Sequence, residues 1–213
     1  MKSLRITEIF HSLQGESVTV GLPTVFIRLT GCPLRCQYCD TAYAFSGGSL
    51  VSIDDIISRV SAFNCAHVCV TGGEPIAQAS CIELLKKLCD AGFQVSIETS
   101  GARDIAVVDK RVMIVMDLKT PDSGESEKNK LSNLDHLKLT DQIKFVICSR
   151  EDYLWACKMI QDYQLTNRAH ILFSPSWNQL APTLLADWIV QDQLPVRFQL
   201  QLHKILWNDA PGH

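Results

Sequence analysis

Short apolar runs alternate with amphipathic stretches along the chain. TVFIRLTG (24–31) is rich in β-branched residues and closes on a glycine, which predicts a strand. Ser52 with Asp55 has the form of a capping box and opens a helix through IDDIISRVSAF (53–63). HVCVTGG (67–73) reads as a strand, CIELLKKLCDAG (81–92) as a helix stopped by glycine, and FQVSIETSG (93–101) as a strand. A short helical piece near Ala106 follows, then strands at VMIVMDLK (112–119), apolar on both faces, and IKFVIC (143–148). A helix over 151–163, a strand at HILFSPS (170–176), a helix over 184–192 and an apolar C-terminal stretch, RFQLQLHKILW, complete the series. The N-terminal MKSLRITEIFHSLQGE interleaves polar and apolar residues without the apolar core of a secretory signal.

Near-continuous apolar strands separated by helices predict a parallel sheet covered on both faces. About six βα units suit an α/β fold, either a doubly wound sheet or an incomplete barrel. The polar stretch TPDSGESEKNKLSN (120–133) reads as a mobile surface loop, or as a lid if it lies near the site. There is no internal repeat or interdomain linker, so one domain over 1–213 is expected. The strands end in GCPLRC, TGGEP, ETSG, DLKTP, CSRE and FSPSW. In parallel α/β architectures these ends share one rim, where active sites are built. Turn chemistry explains some of them, but not the thiols.

Composition narrows the class. The 213 residues are 46% hydrophobic and 20% charged, the balance of a globular protein with a sizeable core. Net charge is −3 with no long basic run, so no nucleic-acid footprint is visible, and no apolar stretch approaches the roughly 18 residues of a membrane span. Nine cysteines without an export signal are most simply reduced thiols in the cytoplasm, and an odd count argues against a complete disulfide framework. Six of them (Cys65, Cys69, Cys81, Cys89, Cys148, Cys157) sit in apolar or amphipathic surroundings and read as small core residues.

Cys32, Cys36 and Cys39 differ. They fall on one tight C-x₃-C-x₂-C loop, with no second pair at the distance a structural zinc site uses. Compact thiolate spacing suits an iron–sulfur cluster. Three protein ligands on a cubane leave one iron open, and an open position is what chemistry needs.

This spacing, with Tyr38 before the last cysteine, resembles the radical S-adenosylmethionine (SAM) superfamily, and TGGEP resembles its second-strand motif. EIFHSLQGES (8–17), CDTAYAF (39–45), ETSG, DLKTP and the terminal QLHKILW (201–207) further resemble the 7-carboxy-7-deazaguanine synthase family of the queuosine and deazapurine pathway. The resemblance covers nearly the whole chain. It implies a partial (βα)6-type barrel of the TIM-like kind and a [4Fe-4S] cluster on Cys32, Cys36 and Cys39, the open iron chelated by SAM. The implied reaction converts 6-carboxy-5,6,7,8-tetrahydropterin to 7-carboxy-7-deazaguanine with loss of ammonia. The radical is carried by SAM, so no side chain is assigned as catalytic. A 5′-deoxyadenosyl radical takes hydrogen from C6 of the pterin, and SAM is regenerated. Mg2+, a flavodoxin- or ferredoxin-type electron donor and a homodimer are also implied.

Residue by residue, Thr41 matches the family's magnesium position, although a turn or N-cap threonine is as ordinary a reading. Gln14, Gly15, Glu16, Arg28, Thr71 and His203 match substrate contacts. Arg28, mid-strand among apolar residues, either forks onto a substrate carboxylate or forms a salt bridge with Glu16 or Glu98. Gln14 and Glu16 complement an aminopyrimidinone edge, or else cap a helix or sit in a solvated loop. Gly73, Glu74, Ser100, Asp117, Lys119 and Ser174 match SAM contacts. Gly73 would let SAM approach the backbone, and Lys119 would pair with the SAM carboxylate or, at the surface, with Asp122. Ser17 and Ser100 depart from the family's usual Gly and Asn, which puts the turn at Ser17 in question. FSPSW matches loosely and APGH matches no family motif; in some members of the family the terminal carboxylate touches substrate. Two other readings remain open at this point: a radical SAM activase that makes a glycyl radical on a partner protein, and a zinc-stabilised binding module.

Overall fold

The computed structural model describes residues 2–208, 210 and 212. The C-terminal carboxylate, on His213, lies outside the described residues. Nine strands form one sheet: β1 (Ser3–Leu13), β2 (Pro23–Leu29), β3 (Ser49–Ser52), β4 (His67–Gly72), β5 (Gln94–Thr99), β6 (Met113–Asp117), β7 (Gln142–Ile147), β8 (His170–Pro175) and β9 (Arg197–Phe198). Their order is β3-β1-β2-β4-β5-β6-β7-β8-β9. From β2 to β9 every neighbouring pair is parallel; β1 runs antiparallel to both β2 and β3. The sheet does not close edge to edge, which fits the partial barrel implied by the resemblance. Helices α1 (Ile53–Ser61), α2 (Cys81–Asp90), α3 (Arg150–Asp162) and α4 (Pro182–Gln191) connect or follow the parallel strands, and α5 (Leu202–Trp207) ends the fold.

Local chemistry explains where the helices begin. Ser52 accepts from the Asp55 N–H (3.1 Å) and donates to the Asp55 carboxylate (2.7 Å), so the expected cap on α1 is formed. Ser149 caps α3 in the same way by accepting from the Asp152 N–H. Helix faces carrying Ile56, Val60, Leu84, Leu88 and Tyr153 pack on Ile27, Val70, Ile97, Phe145 and Phe173 from the strands, all essentially buried. Burial of this apolar surface is the main stabilising term.

Two expectations need correction, and two stretches to which the sequence assigns no element take one. The N-terminal segment is an eleven-residue strand, β1, whose interleaved polar and apolar residues are the alternation of a half-buried strand. No helix forms near Ala106; residues 102–112 are turns, bends and irregular backbone. The stretch 120–133 is not a loose loop but a chain of 3₁₀ turns with Thr120, Ser123 and Asn133 buried. Thr120 donates to Asp152 (2.9 Å), and the Asn133 amide donates to the Gly101 (2.8 Å) and Arg103 (2.7 Å) carbonyls. The apolar C-terminal stretch splits into the two-residue β9 and helix α5.

Where strands leave the barrel incomplete, the β1–β2 hairpin loop turns inward. The Val18 N–H donates to the Gln142 side chain (2.9 Å), Gln199 donates to the Ser17 carbonyl (2.9 Å) and the Leu202 N–H to the Gly15 carbonyl (3.0 Å). Ser17 takes φ +70°, the left-handed conformation a glycine would adopt without strain. Its hydroxyl compensates by accepting from the Thr19 N–H (3.1 Å), so serine holds this turn.

Candidate active site

The C-terminal ends of the parallel strands and the inturned hairpin loop enclose a cavity of about 360 Å³. Cys32, Cys36 and Cys39 line one wall, on the loop that follows β2. Gly31 begins this loop at φ +98°. Across from it, a Cβ on Gly73 would lie 2.1 Å from the Gly31 carbonyl oxygen. Gly73 is therefore required by the approach of the β4 end to the cysteine loop, a different reason from the SAM contact expected of it. The Glu74 N–H donates to the Gly31 carbonyl (2.8 Å) and fixes that approach.

The outer side of the loop is tied to the 3₁₀ chain. The Gln37 N–H donates to the Ser123 carbonyl (3.0 Å) and the Arg35 N–H to Glu125 (2.6 Å). Arg35 also donates to the Cys32 and Leu34 carbonyls (2.8 and 2.6 Å) and lies over the Phe45 ring at 4.2 Å. Among the described residues no three His, Cys, Asp or Glu side chains gather around a single point. The three thiols line one wall and leave the cavity beside them open, which fits a cluster whose fourth iron is free for a ligand. Burial raises the Cys32 thiol and pushes Cys36 up to about 11; bound metal would hold both as thiolates.

Of the residues matched to SAM contacts, Gly73, Ser100, Asp117, Lys119 and Ser174 line the cavity. Asp117 and Lys119 pair with each other at 2.9 Å, so Lys119 does not reach Asp122 at the surface. Lys119 is 9% exposed and lies 5.5 Å from the Tyr38 ring centroid. The other Asp117 oxygen, Oδ1, is buried with no hydrogen-bond partner among the described residues. An orphaned acceptor on a cavity wall suits the ammonium of an amino-acid ligand. Glu74 is the exception. It is fully buried away from the cavity, and its carboxylate accepts from the Ile76 N–H (3.1 Å), Thr99 hydroxyl (2.9 Å), Ser100 N–H (2.8 Å) and Ser100 hydroxyl (2.6 Å). It braces the ends of β4 and β5 and has no free oxygen for SAM. Ser100, which replaces the usual asparagine, supplies two of those bonds.

All the matched substrate positions, Gln14, Gly15, Glu16, Arg28, Thr71 and His203, line the same cavity, as does Thr41. The Thr41 hydroxyl makes no capping bond to the 3₁₀ turn that follows it; it donates to Asp40 at 3.5 Å, which leaves its oxygen lone pairs for a hard cation. Arg28 pairs with neither Glu16 nor Glu98. Its Nε donates to Glu8 at 2.6 Å, and its guanidinium lies between the Phe10 and Tyr43 rings at 5.7 and 5.8 Å. Tyr43 donates to the same Glu8 oxygen at 2.8 Å. Glu16 pairs with Lys144 of β7. Burial works against the ionised Glu16, yet the Lys144 ammonium beside it leaves the carboxyl below its ordinary range. Burial, with Glu16 repulsion second, raises Glu98, which accepts from the Thr71 hydroxyl at 2.8 Å. His203 packs against Gly15, where a Cβ would fall 2.3 Å from the imidazole Nδ1. Asp40, next to Cys39, receives Lys204 at 2.9 Å and Gln201 at 3.1 Å. Partial burial would raise Asp40, but the Lys204 charge prevails and holds it at about 2.

Sequence reasoning missed Glu8, Asp40, Tyr43, Lys144 and Lys204. For Lys144 the signal was present: a cation inside the apolar run IKFVIC is as costly to bury unpaired as Arg28. The other four sit in short segments of mixed polar and apolar residues that mark none of them out.

Known proteins can now be set beside this geometry. The Radical SAM superfamily profile matches residues 26–178. A 7-carboxy-7-deazaguanine synthase from Chlorobaculum tepidum is 46% identical over 98% of this chain and 97% of its own length. One from Koribacter versatilis is 40% identical over 96% and 97%. Among solved structures, QueE from Escherichia coli superposes with a TM-score of 0.78 at 22% identity, covering 94% of this chain and 95% of its own. SuiB from Streptococcus suis bound to its precursor peptide reaches 0.56 at 15% identity, over 80% of this chain and 46% of its own; these two likenesses speak to the fold.

Proposed function

This chain belongs to the radical SAM superfamily and, within it, to the 7-carboxy-7-deazaguanine synthase family, and from that premise we infer how its cavity serves the reaction. The enzyme is a radical SAM lyase that contracts the ring of 6-carboxy-5,6,7,8-tetrahydropterin to 7-carboxy-7-deazaguanine with loss of ammonia. The single observation that carries the placement is the convergence of the three-thiol loop, the orphaned Asp117 oxygen and the Arg28–Glu16 side of the cavity on one enclosed space. When bound, the cluster and SAM supply one-electron cleavage of the sulfonium and hydrogen-atom abstraction from the pterin.

The chain's own residues bind and orient. Cys32, Cys36 and Cys39 hold the cluster. Asp117, through Oδ1, receives the SAM ammonium, while Lys119, kept charged by Asp117, faces its carboxylate; Gly73, Ser100 and Ser174 shape the wall around it. Arg28 has its Nε committed to Glu8, so its terminal nitrogens remain to fork onto the pterin carboxylate. Gln14, Gly15 and Glu16 read the aminopyrimidinone edge, with Thr71 and His203 completing the pocket. Thr41 would contribute an oxygen to Mg2+, a hard ion that prefers oxygen ligands. A tight pocket also excludes water from the reaction.

Residues 1–213 act as one domain, as a homodimer in the cytoplasm, reduced by a flavodoxin- or ferredoxin-type donor. No helix among the described residues is long and apolar enough to cross a membrane. Glycyl-radical activation of a partner protein is not favoured, because the relatives carry the deazaguanine synthase name. The test is anaerobic reconstitution followed by incubation with the carboxytetrahydropterin, SAM, Mg2+ and dithionite. Mass spectrometry should find the ring-contracted, deaminated product; a fully loaded protein that makes none refutes the assignment.

A further inference from the structure

Four ion pairs face or flank the cavity: Arg28 with Glu8, Lys119 with Asp117, Lys204 with Asp40 and Lys144 with Glu16. Of these four, Lys144 with Glu16 is the pair whose side chains are both nearly buried, 12% and 11% exposed, and it ties the inturned hairpin loop to the middle of β7, 128 residues away. A further carboxyl, Glu98, also lines the cavity. Lys144 neighbours Asp117 in register across β6–β7. Its field also reaches Glu98 on β5 and Asp40 on the cysteine loop. Glu16 is faced by Lys144, Asp40, His203 and Glu98. Without Lys144, the buried Glu16 and the half-buried Glu98 carboxyls would face each other with no cation bonded to either. One of them would have to take a proton.

We propose that Lys144 is a positioning residue for the pterin, holding Glu16 as a carboxylate turned into the cavity so that the site offers acceptors to the N–H groups of the aminopyrimidinone edge. This rests on the reading of Glu16 as a substrate contact. A protonated Glu16 would present a donor to donors, and a buried donor left without an acceptor discriminates strongly against binding. Lys144 spends its ammonium on Glu16 and acts through it.

The test is calorimetric titration of cluster-loaded, SAM-bound enzyme with the carboxytetrahydropterin, anaerobically and without reductant, between pH 6.5 and 9. Wild type should bind with little pH dependence. Lys144→Met should weaken pterin binding at least tenfold at pH 6.5 and recover towards wild type as pH rises and Glu16 ionises. Its iron content and SAM affinity should be unchanged. Lys144→Arg should restore near-wild-type binding, and Lys144→Met placed on Glu16→Gln should cost nothing further. Wild-type pterin affinity in Lys144→Met overturns the proposal. So does a loss that is equal at every pH, or one shared with SAM, since either marks mere packing. A loaded wild type that binds SAM but no pterin refutes the substrate reading of Glu16, and this inference with it.

Discussion

Replacing Glu74 with glutamine separates its two possible roles. Each carboxylate oxygen accepts two hydrogen bonds: one takes the Ile76 N–H and the Thr99 hydroxyl, the other the Ser100 N–H and hydroxyl. A glutamine amide has one acceptor and one donor end, so its NH₂ must face one of these pairs. The hydroxyl in either pair can rotate, but the backbone N–H cannot. One charge-assisted bond, worth about 1.5–3 kcal/mol, disappears, and a buried N–H is left unpaired at about 1–3 kcal/mol more. A total of about 2.5–6 kcal/mol is expected. With an unfolding entropy of about 2.1 cal/mol/K per residue over this chain length, that is a fall in Tm of about 6–13 °C. The assay is anaerobic thermal unfolding followed by circular dichroism, with SAM binding measured well below the transition. If Glu74→Gln melts within about 2 °C of wild type while SAM affinity collapses, the brace is wrong and Glu74 touches SAM after all.

Other changes test other parts of the site. Gly15→Ala should drive the His203 imidazole from its seat, since the new Cβ would lie 2.3 Å from Nδ1; pterin affinity should fall at least tenfold in calorimetry while SAM binding holds. Serine at Cys32, Cys36 or Cys39 should abolish the brown chromophore and the iron and sulfide content, whereas Cys81→Ser, in the apolar core, should cost stability but keep the cluster. The Asp40–Lys204 pair has a definite pH signature. Asp40 is held at about 2 against an ordinary value of about 3.9, so the pair's contribution is present above pH about 4 and lost as pH falls towards 2. Lys204→Met should lower Tm at pH 7, and its difference from wild type should shrink at pH 3. A difference that stays constant with pH would count against the pair. Because Asp40 is 37% exposed, the effect should be modest.

Much of this protein was legible along the chain because the relevant signals are local. Cys32, Cys36 and Cys39 lie on a single loop, and thiolate chemistry at that spacing needs no partner from elsewhere. Strands β2 and β4–β8, the capped start of α1 and the rim of polar strand ends follow from side-chain period and turn chemistry, which a few consecutive residues specify. Arg28 was conspicuous because a guanidinium amid apolar neighbours demands a partner. What its partner is depended on β1 lying antiparallel beside β2, which sets Glu8 opposite Arg28 in the register. In the same way, Glu16 meets Lys144 only because the hairpin loop folds into the barrel, and Glu74 turns from a cofactor contact into a brace only because β5 ends beside β4. The stretch at 120–133 looked like a free loop by composition, yet Thr120 and Asn133 find partners on α3 and the β5–β6 connection. Residue type and short-range pattern decide what chemistry a chain carries. Which charge neutralises which, and which oxygen is left open for a ligand, is decided by contacts between segments far apart in sequence, whose geometry exists only in the assembled sheet.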